Sequence, residues 1–334
     1  MRLLTPPRRA GAATALFLAA ILSGSLLGVV TPGAAESIGE FVDPLILLLV
    51  GLLFFTVRLD GLPTLRRAPR TVLLAVGMNF LLIPLVAVVL TVLLPDDALR
   101  LGVLLYCLAP CTDWFLGFTR LAGGDTATGA ALIPLQLTLQ LALFPVWLTL
   151  LTGPQTESTV SGVVGPTLLT WFVLPATIGL GLRLLLQLAL PAARRERIVE
   201  TMDRVVPSVI AAVIVTIFAG NVGTVLADPG SFVRVLLVVC LFFTITFALG
   251  EGIAHVFRLR HPEHALLTMT TSARNAPLML AMTTIALPDQ PVVHAAIILG
   301  MLIEFPHLAV ITQVLRRRQM RRTARSIAEP TVSP

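Results

Sequence analysis

Leu108-Ala-Pro-Cys-Thr-Asp-Trp-Phe-Leu-Gly-Phe-Thr-Arg120 lies midway along an apolar span, yet it holds a proline, a thiol and a carboxylate within four residues. A second apolar span carries a similar interruption, Met269-Thr-Thr-Ser-Ala-Arg-Asn-Ala-Pro277, with a guanidinium and another proline. Ionisable groups inside a bilayer are costly and usually mark a pathway or a site. The two stretches therefore predict two broken helices that meet a small solute inside a membrane.

The surrounding chain agrees with a membrane setting. Hydrophobic residues make up 56% of its 334 residues and charged residues only 13%, with a mean hydropathy of +0.92. Soluble domains carry about 25% charged residues. Backbone groups in lipid must be satisfied internally, which leaves helices or a closed barrel. The apolar runs are continuous rather than alternating, which selects helices. A bilayer core of about 30 Å needs roughly 20 helical residues. On that measure the chain divides into ten spans, at about 12–31, 41–57, 71–95, 100–120, 126–152, 162–190, 205–227, 231–257, 263–288 and 291–315. The first of these, with Arg8, Arg9 and a following Gly33-Ala-Ala-Glu, also has features of a secretory signal peptide. Its length, and the symmetry lost without it, favour its retention as a helix.

Charge gives the orientation. All 24 basic residues are arginines, and 21 of them fall in alternate loops and the two ends of the chain. The other loops hold only Arg100 and Arg234, among acids such as Glu36, Asp96, Asp97, Glu157 and Asp228. Arginine-rich loops are cytoplasmic, so both termini lie inside and the number of spans is even. The net charge of +6 is thus an orientation signal in a multi-pass protein of the cell membrane, and no nucleic-acid partner is implied. The three cysteines fall within spans, so neither a disulfide framework nor a metal cluster is expected. No phosphate-binding loop, cofactor motif or enzymatic triad occurs, and no cofactor is expected.

The expected fold is an all-α polytopic membrane protein, with residues 1–334 forming a single transporter domain. Phe144-Pro145 recurs as Phe305-Pro306, an offset of 161 that sends Asp113 to Arg274. The acids Asp125 and Asp289 give 164 instead, so the register varies by about a turn. Ten helices then form two inverted five-helix repeats in which broken helices 4 and 9 cross. Residues 12–190 hold the first repeat, and 205–315 hold the second part of the bundle, its repeat completed from about 162. Residues 316–334 form a basic cytoplasmic tail. Pro191 to Arg204, the longest polar stretch, is expected to be the mid-chain connector. Inverted repeats with interrupted helices are a signature of secondary transporters.

Several side chains are candidates for the solute or ion pathway. Asp113 and Arg274 are expected to meet where the broken helices cross; a pair offsets much of the desolvation that either charge would suffer alone. Pro110 and Pro277 explain the breaks, since each deletes a backbone donor and frees a carbonyl one turn earlier. Cys111 is a small apolar side chain, or a ligand for a soft centre such as trivalent arsenic. Glu304 and His307 share a helical face beside Pro306 and are either a proton-handling pair or a hydrogen-bonded structural pair. Glu251 and His255 have helical spacing near the cytoplasm and are expected to be structural. Asn79 is a polar contact within an apolar span.

These motifs resemble those of the bile acid:sodium symporter superfamily, and within it the arsenical-resistance permeases. Asn79-Phe-Leu-Leu-Ile-Pro84 is similar to an element of the third span. Ala109-Pro-Cys111 followed by Leu121-Ala-Gly-Gly-Asp125 is similar to the permeases' cysteine motif. Ser272-Ala-Arg-Asn275 resembles the unwound segment of span nine, and Ile303-Glu-Phe-Pro306 resembles an element of span ten. The resemblance implies a core of spans 3–5 and 8–10 against a panel of spans 1, 2, 6 and 7. It also implies arsenite efflux through a pathway that includes Cys111, Ser272, Asn275 and Glu304. The alternative is transport of a small organic anion, with Arg274 as its contact. A homodimer is compatible with either. The sequence departs from the family where Pro277 stands in place of a functional glutamate. Thr270, Phe115 and Leu116 likewise stand where sodium-dependent members carry ion ligands. These departures favour proton coupling, uniport or a fixed internal cation over sodium.

Overall fold

Every regular element is helical, and no strand occurs among the described residues. The computed structural model describes residues 8–56, 62–111, 114–152, 173–227 and 229–328. Helices α1 (Arg8–Val30), α2 (Pro32–Gly39) and α3 (Val42–Thr56) come first, then a 3-10 turn over Leu62–Arg67. Next, α4 (Pro69–Gly77) and α5 (Ile83–Thr91) flank a π-helical turn, Met78–Leu82. They are followed by α6 (Asp97–Leu108), α7 (Trp114–Leu121) and α8 (Thr126–Thr152). The second part comprises α9 (Leu174–Ala189), α10 (Ala192–Ala227), α11 (Pro229–Val256), α12 (His261–Ser272), α13 (Ala276–Ala286) and α14 (Pro291–Ala328).

Local chemistry accounts for many of these ends. Pro32, Pro69 and Pro277 each sit in a first helical turn, where a missing N–H costs nothing. The Asp96 side chain accepts the Leu99 N–H at 2.9 Å and caps α6. Asp125 caps α8 by accepting the N–H groups of Ala127 and Thr128, each at 3.1 Å. Pro84 has no N–H for the carbonyl of Phe80 and would clash with it in a regular helix; the π turn at Met78–Leu82 absorbs that mismatch.

Five helical runs are long and apolar enough to cross a bilayer singly: 69–91, 126–144, 192–220, 229–256 and 291–320. The bent pair α1–α2, turning by 118°, would make a sixth. This is fewer than the ten spans expected, for physical reasons. The fourth and ninth expected spans are each split into two short helices, of 12 and 8 residues and of 12 and 11. Helices α3 and α9 are short, at 15 and 16 residues, and residues 153–172 lie outside the described residues. The polar stretch after Pro191 is itself helical, because α10 runs from Ala192 through Pro207 to Ala227. Its Ala, Arg and Glu residues are strong helix formers. Likewise α14 carries the basic tail on as helix to Ala328.

The helices pack in two groups. In one, α1 lies along α10, and α3 lies against both α9 and α10. In the other, α14 runs beside α6, α11 and α13, while α12 touches α7, α8 and α11. Helices α6 and α14 approach closely at Gly102, where an added Cβ would come within 2.7 Å of the Val293 carbonyl. Such small-residue crossings suit helices in lipid, where packing rather than hydrophobic collapse holds them together. This approach places Tyr106, in the last turn of α6, against Gly300 and Glu304 in the first part of α14.

Candidate functional site

Helix α6 stops at Leu108 because the next residues cannot continue it. Ala109 is extended, with φ −60° and ψ 129°, as expected before a proline. Helix α12 stops at Ser272, and Ala273 is extended at φ −90° and ψ 140°. There Asn275 restarts the chain as a helix, its side-chain oxygen accepting the Leu278 N–H at 3.2 Å, with Pro277 in the first turn of α13. The two breaks touch: the Asn275 N–H donates to the Pro110 carbonyl at 2.6 Å. Sequence reasoning expected these broken segments to cross, and the backbone contact joins them.

Arg274 lies at this contact and is fully buried. Its Nη1 donates to the carbonyls of Cys107 at 3.0 Å and Ala109 at 2.9 Å, at the end of α6. Its Nη2 donates to Asn79 Oδ1 at 2.9 Å, to the Thr270 carbonyl at 3.5 Å and to the Thr271 carbonyl. Five oxygens from three segments thus converge on one guanidinium. A helix end leaves its last carbonyls without partners, and in lipid no water replaces them. Arg274 supplies the missing donors for both broken helices at once, and its charge lies 5.9 Å from the centre of the Phe242 ring.

Two polar groups flank the guanidinium. On one side, Cys111 Sγ donates to Gln136 Oε1 at 3.0 Å, and the Thr270 hydroxyl donates to Cys111 Sγ at 3.1 Å. Gln136 Nε2 donates to Thr270 Oγ1 at 3.3 Å, closing a ring of three side chains. Asn79 Nδ2 joins this ring through Gln136 Oε1 at 3.5 Å and the Thr270 carbonyl at 3.3 Å. On the other side, Glu304 accepts the Arg274 backbone N–H at 3.0 Å and the Tyr106 hydroxyl at 3.4 Å. The Tyr106 hydroxyl also donates to the Gly300 carbonyl at 3.0 Å. Gly300 is required there, since a Cβ would lie 2.8 Å from the tyrosine ring.

Among the residues singled out from sequence, Asn79, Cys111, Arg274, Asn275 and Glu304 come together here, with Pro110 and Pro277 at the breaks. Ser272 is buried at the end of α12, and its hydroxyl has no hydrogen-bond partner among the described residues. Asp113 lies outside the described residues. The expected link between Glu304 and His307 is corrected: Glu304 bonds to Arg274 and Tyr106, while the His307 ring stacks on Phe243 at 4.7 Å. Glu251 bonds to His264 and Arg318 rather than pairing with His255, and so ties together α11, α12 and α14. Gln136 and Tyr106 were absent from the candidates, and Thr270 was named only as a departure from the sodium-dependent pattern. Two signals pointed to the first two. Gln136 and Gln140 are amides one turn apart in an apolar span, and Tyr106 is the chain's single tyrosine.

Apolar helices long enough for a bilayer, packed with shorter helices whose breaks meet at a buried polar cluster, mark a multi-pass membrane protein. The profile of the Sodium Bile acid symporter family matches residues 44–228, more than half of the chain. The protein belongs to that family. The match covers the first break, Asn79 and Gln136, whereas Arg274 and Glu304 lie beyond it. No curated protein matches the chain as a relative.

Proposed function

We propose that the protein is a secondary transporter of the cell membrane that moves a small solute past the crossing of the two breaks without sodium. In this reading ten spans form two inverted repeats, both termini are cytoplasmic, and Arg274 is a resident cation. The observation that carries it is the set of five oxygens around the Arg274 guanidinium. Carbonyls freed by unwound helices are a standard means of holding a transported sodium ion. Here a covalently attached charge already sits among these oxygens, in the place a bound cation would take. Coupling is then to protons, with Glu304 as the acid in contact with the break, or absent.

The solute proposed is arsenite or a related metalloid, exported from the cell. Its support is Cys111, a buried thiol beside the first break and bonded to Gln136 and Thr270. Thiols favour soft centres such as trivalent arsenic. The organic-anion alternative needs Arg274 as its contact; both terminal nitrogens of that side chain are engaged by protein oxygens, which leaves only Nε without a partner among the described residues. Arsenite accumulation in cells lacking their own exporter tests the proposal. Expression of the chain should lower accumulation, and Cys111→Ser should restore it. Unchanged accumulation with the wild-type chain would exclude the metalloid.

A further inference from the structure

Gln140 is the one side chain near the crossing whose amide nitrogen and oxygen are both buried with no hydrogen-bond partner among the described residues. It is 1% exposed and lies in α8, four residues beyond Gln136, so the two amides share a helix face one turn apart. Gln136 marks what that face looks towards: Cys111 on the first break and Thr270 on α12. A buried amide without partners is costly, because each orphaned group forfeits its interaction with water. A leucine or methionine at position 140 would avoid that cost in an apolar helix. Native structures rarely keep such groups, and each one calls for a physical reason.

We infer that Gln140 is a solute contact and that the solute is small, uncharged and hydroxyl-bearing. The inference deepens the transport reading above and rests on it. An amide offers one donor face and one acceptor oxygen, and a hydroxyl both donates and accepts, so a solute with two or more hydroxyls satisfies both ends. A carboxylate only accepts. It would leave the Gln140 oxygen unpaired, and it would find the terminal nitrogens of Arg274 already engaged. The side chains bonded to one another next to Gln140 are neutral as well: Cys111, Gln136 and Thr270. Arsenite, present near neutral pH as an uncharged trihydroxide, fits this chemistry and adds an affinity for the Cys111 thiol. Boric acid fits the hydroxyl pattern without that affinity.

The test is thermal unfolding of the purified full chain with arsenite, boric acid or acetate, for the wild type, Gln140→Met and Cys111→Ser. Ligands that bind only the folded state raise the melting temperature. For the wild type, arsenite and boric acid should each give a saturable rise and acetate none. Gln140→Met should lose both rises while melting, without ligand, at or above the wild-type temperature, which shows that it folds. Cys111→Ser should lose the arsenite rise and keep that of boric acid. If boric acid stabilises the wild type and arsenite does not, the metalloid proposal fails while the Gln140 inference stands. Three outcomes overturn the inference: Gln140→Met retaining the boric acid rise, acetate stabilising where boric acid does not, or no stabilisation of the wild type by boric acid.

Discussion

The two helix breaks differ in how their ends are satisfied. The break between α12 and α13 is self-sufficient: Asn275 caps the new helix, and Arg274 returns to the carbonyls of Thr270 and Thr271. The break after α6 depends on the other. Its Pro110 carbonyl is met by the Asn275 N–H, and its Cys107 and Ala109 carbonyls by Arg274. What the first break contributes is chemistry, in the form of Cys111 held by Gln136 and Thr270. One break therefore provides the scaffold and its charge, while the other provides the side chain best suited to a solute. Separation of the two breaks would strand the carbonyls of Cys107, Ala109 and Pro110 at once, so the pair is expected to move as a unit.

Substitutions can break this asymmetry in graded steps. The largest effect is expected from Arg274→Ala. It strands carbonyls on both broken helices, at about 1–3 kcal/mol for each unsatisfied buried group. Thermal unfolding should show a marked loss of stability, and retention of wild-type stability would remove Arg274 from its assigned role. Glu304 comes next. Glu304→Ala removes the acceptor for the Arg274 N–H and the Tyr106 hydroxyl and should cost on the order of 1–3 kcal/mol. By contrast, Glu304→Gln keeps an acceptor oxygen and should fold normally. If transport is proton-coupled, Glu304→Gln flux in proteoliposomes should lose its dependence on a pH gradient; a gradient-driven flux in that variant would locate coupling elsewhere. Asn275→Ala should cost about 1 kcal/mol through loss of the α13 cap, visible as a modest fall in melting temperature. The smallest structural effect is expected from Cys111→Ser, a near-isosteric change that keeps hydrogen-bonding capacity. Its melting temperature should stay near wild type while arsenite export falls, and unchanged export would separate the thiol from function.

Part of this arrangement was legible in the sequence. Prolines and ionisable residues inside apolar spans marked both breaks, because a missing backbone donor and a costly charge are local properties. The helical class followed from continuous apolar runs for the same reason. What could not be read was the set of partners. Arg274 is expected to meet Asp113, since opposite charges are the obvious mates for a buried guanidinium, and Asp113 lies outside the described residues. Among the described residues the Arg274 side chain donates to four backbone carbonyls and one amide oxygen. Backbone acceptors are the same for every residue type, so composition and spacing hold no trace of which carbonyls become free and convergent. Likewise Glu304 and His307 share a helical face by spacing, but the neighbouring helices divide them, Tyr106 taking one and Phe243 the other. The helical form of the first turns of α10 was likewise not legible: polar residues signal an aqueous environment, which a helix tolerates as readily as a loop.

The central claim is that Arg274 does the work of a bound cation. Its most direct test is thermal unfolding of the wild type and Arg274→Ala in matched sodium, guanidinium and choline salts at millimolar concentration. The account predicts a wild type indifferent to the choice of cation, and an Arg274→Ala variant stabilised by sodium or guanidinium relative to choline. A wild type that gains stability from sodium, or a variant that responds to neither small cation, would contradict it.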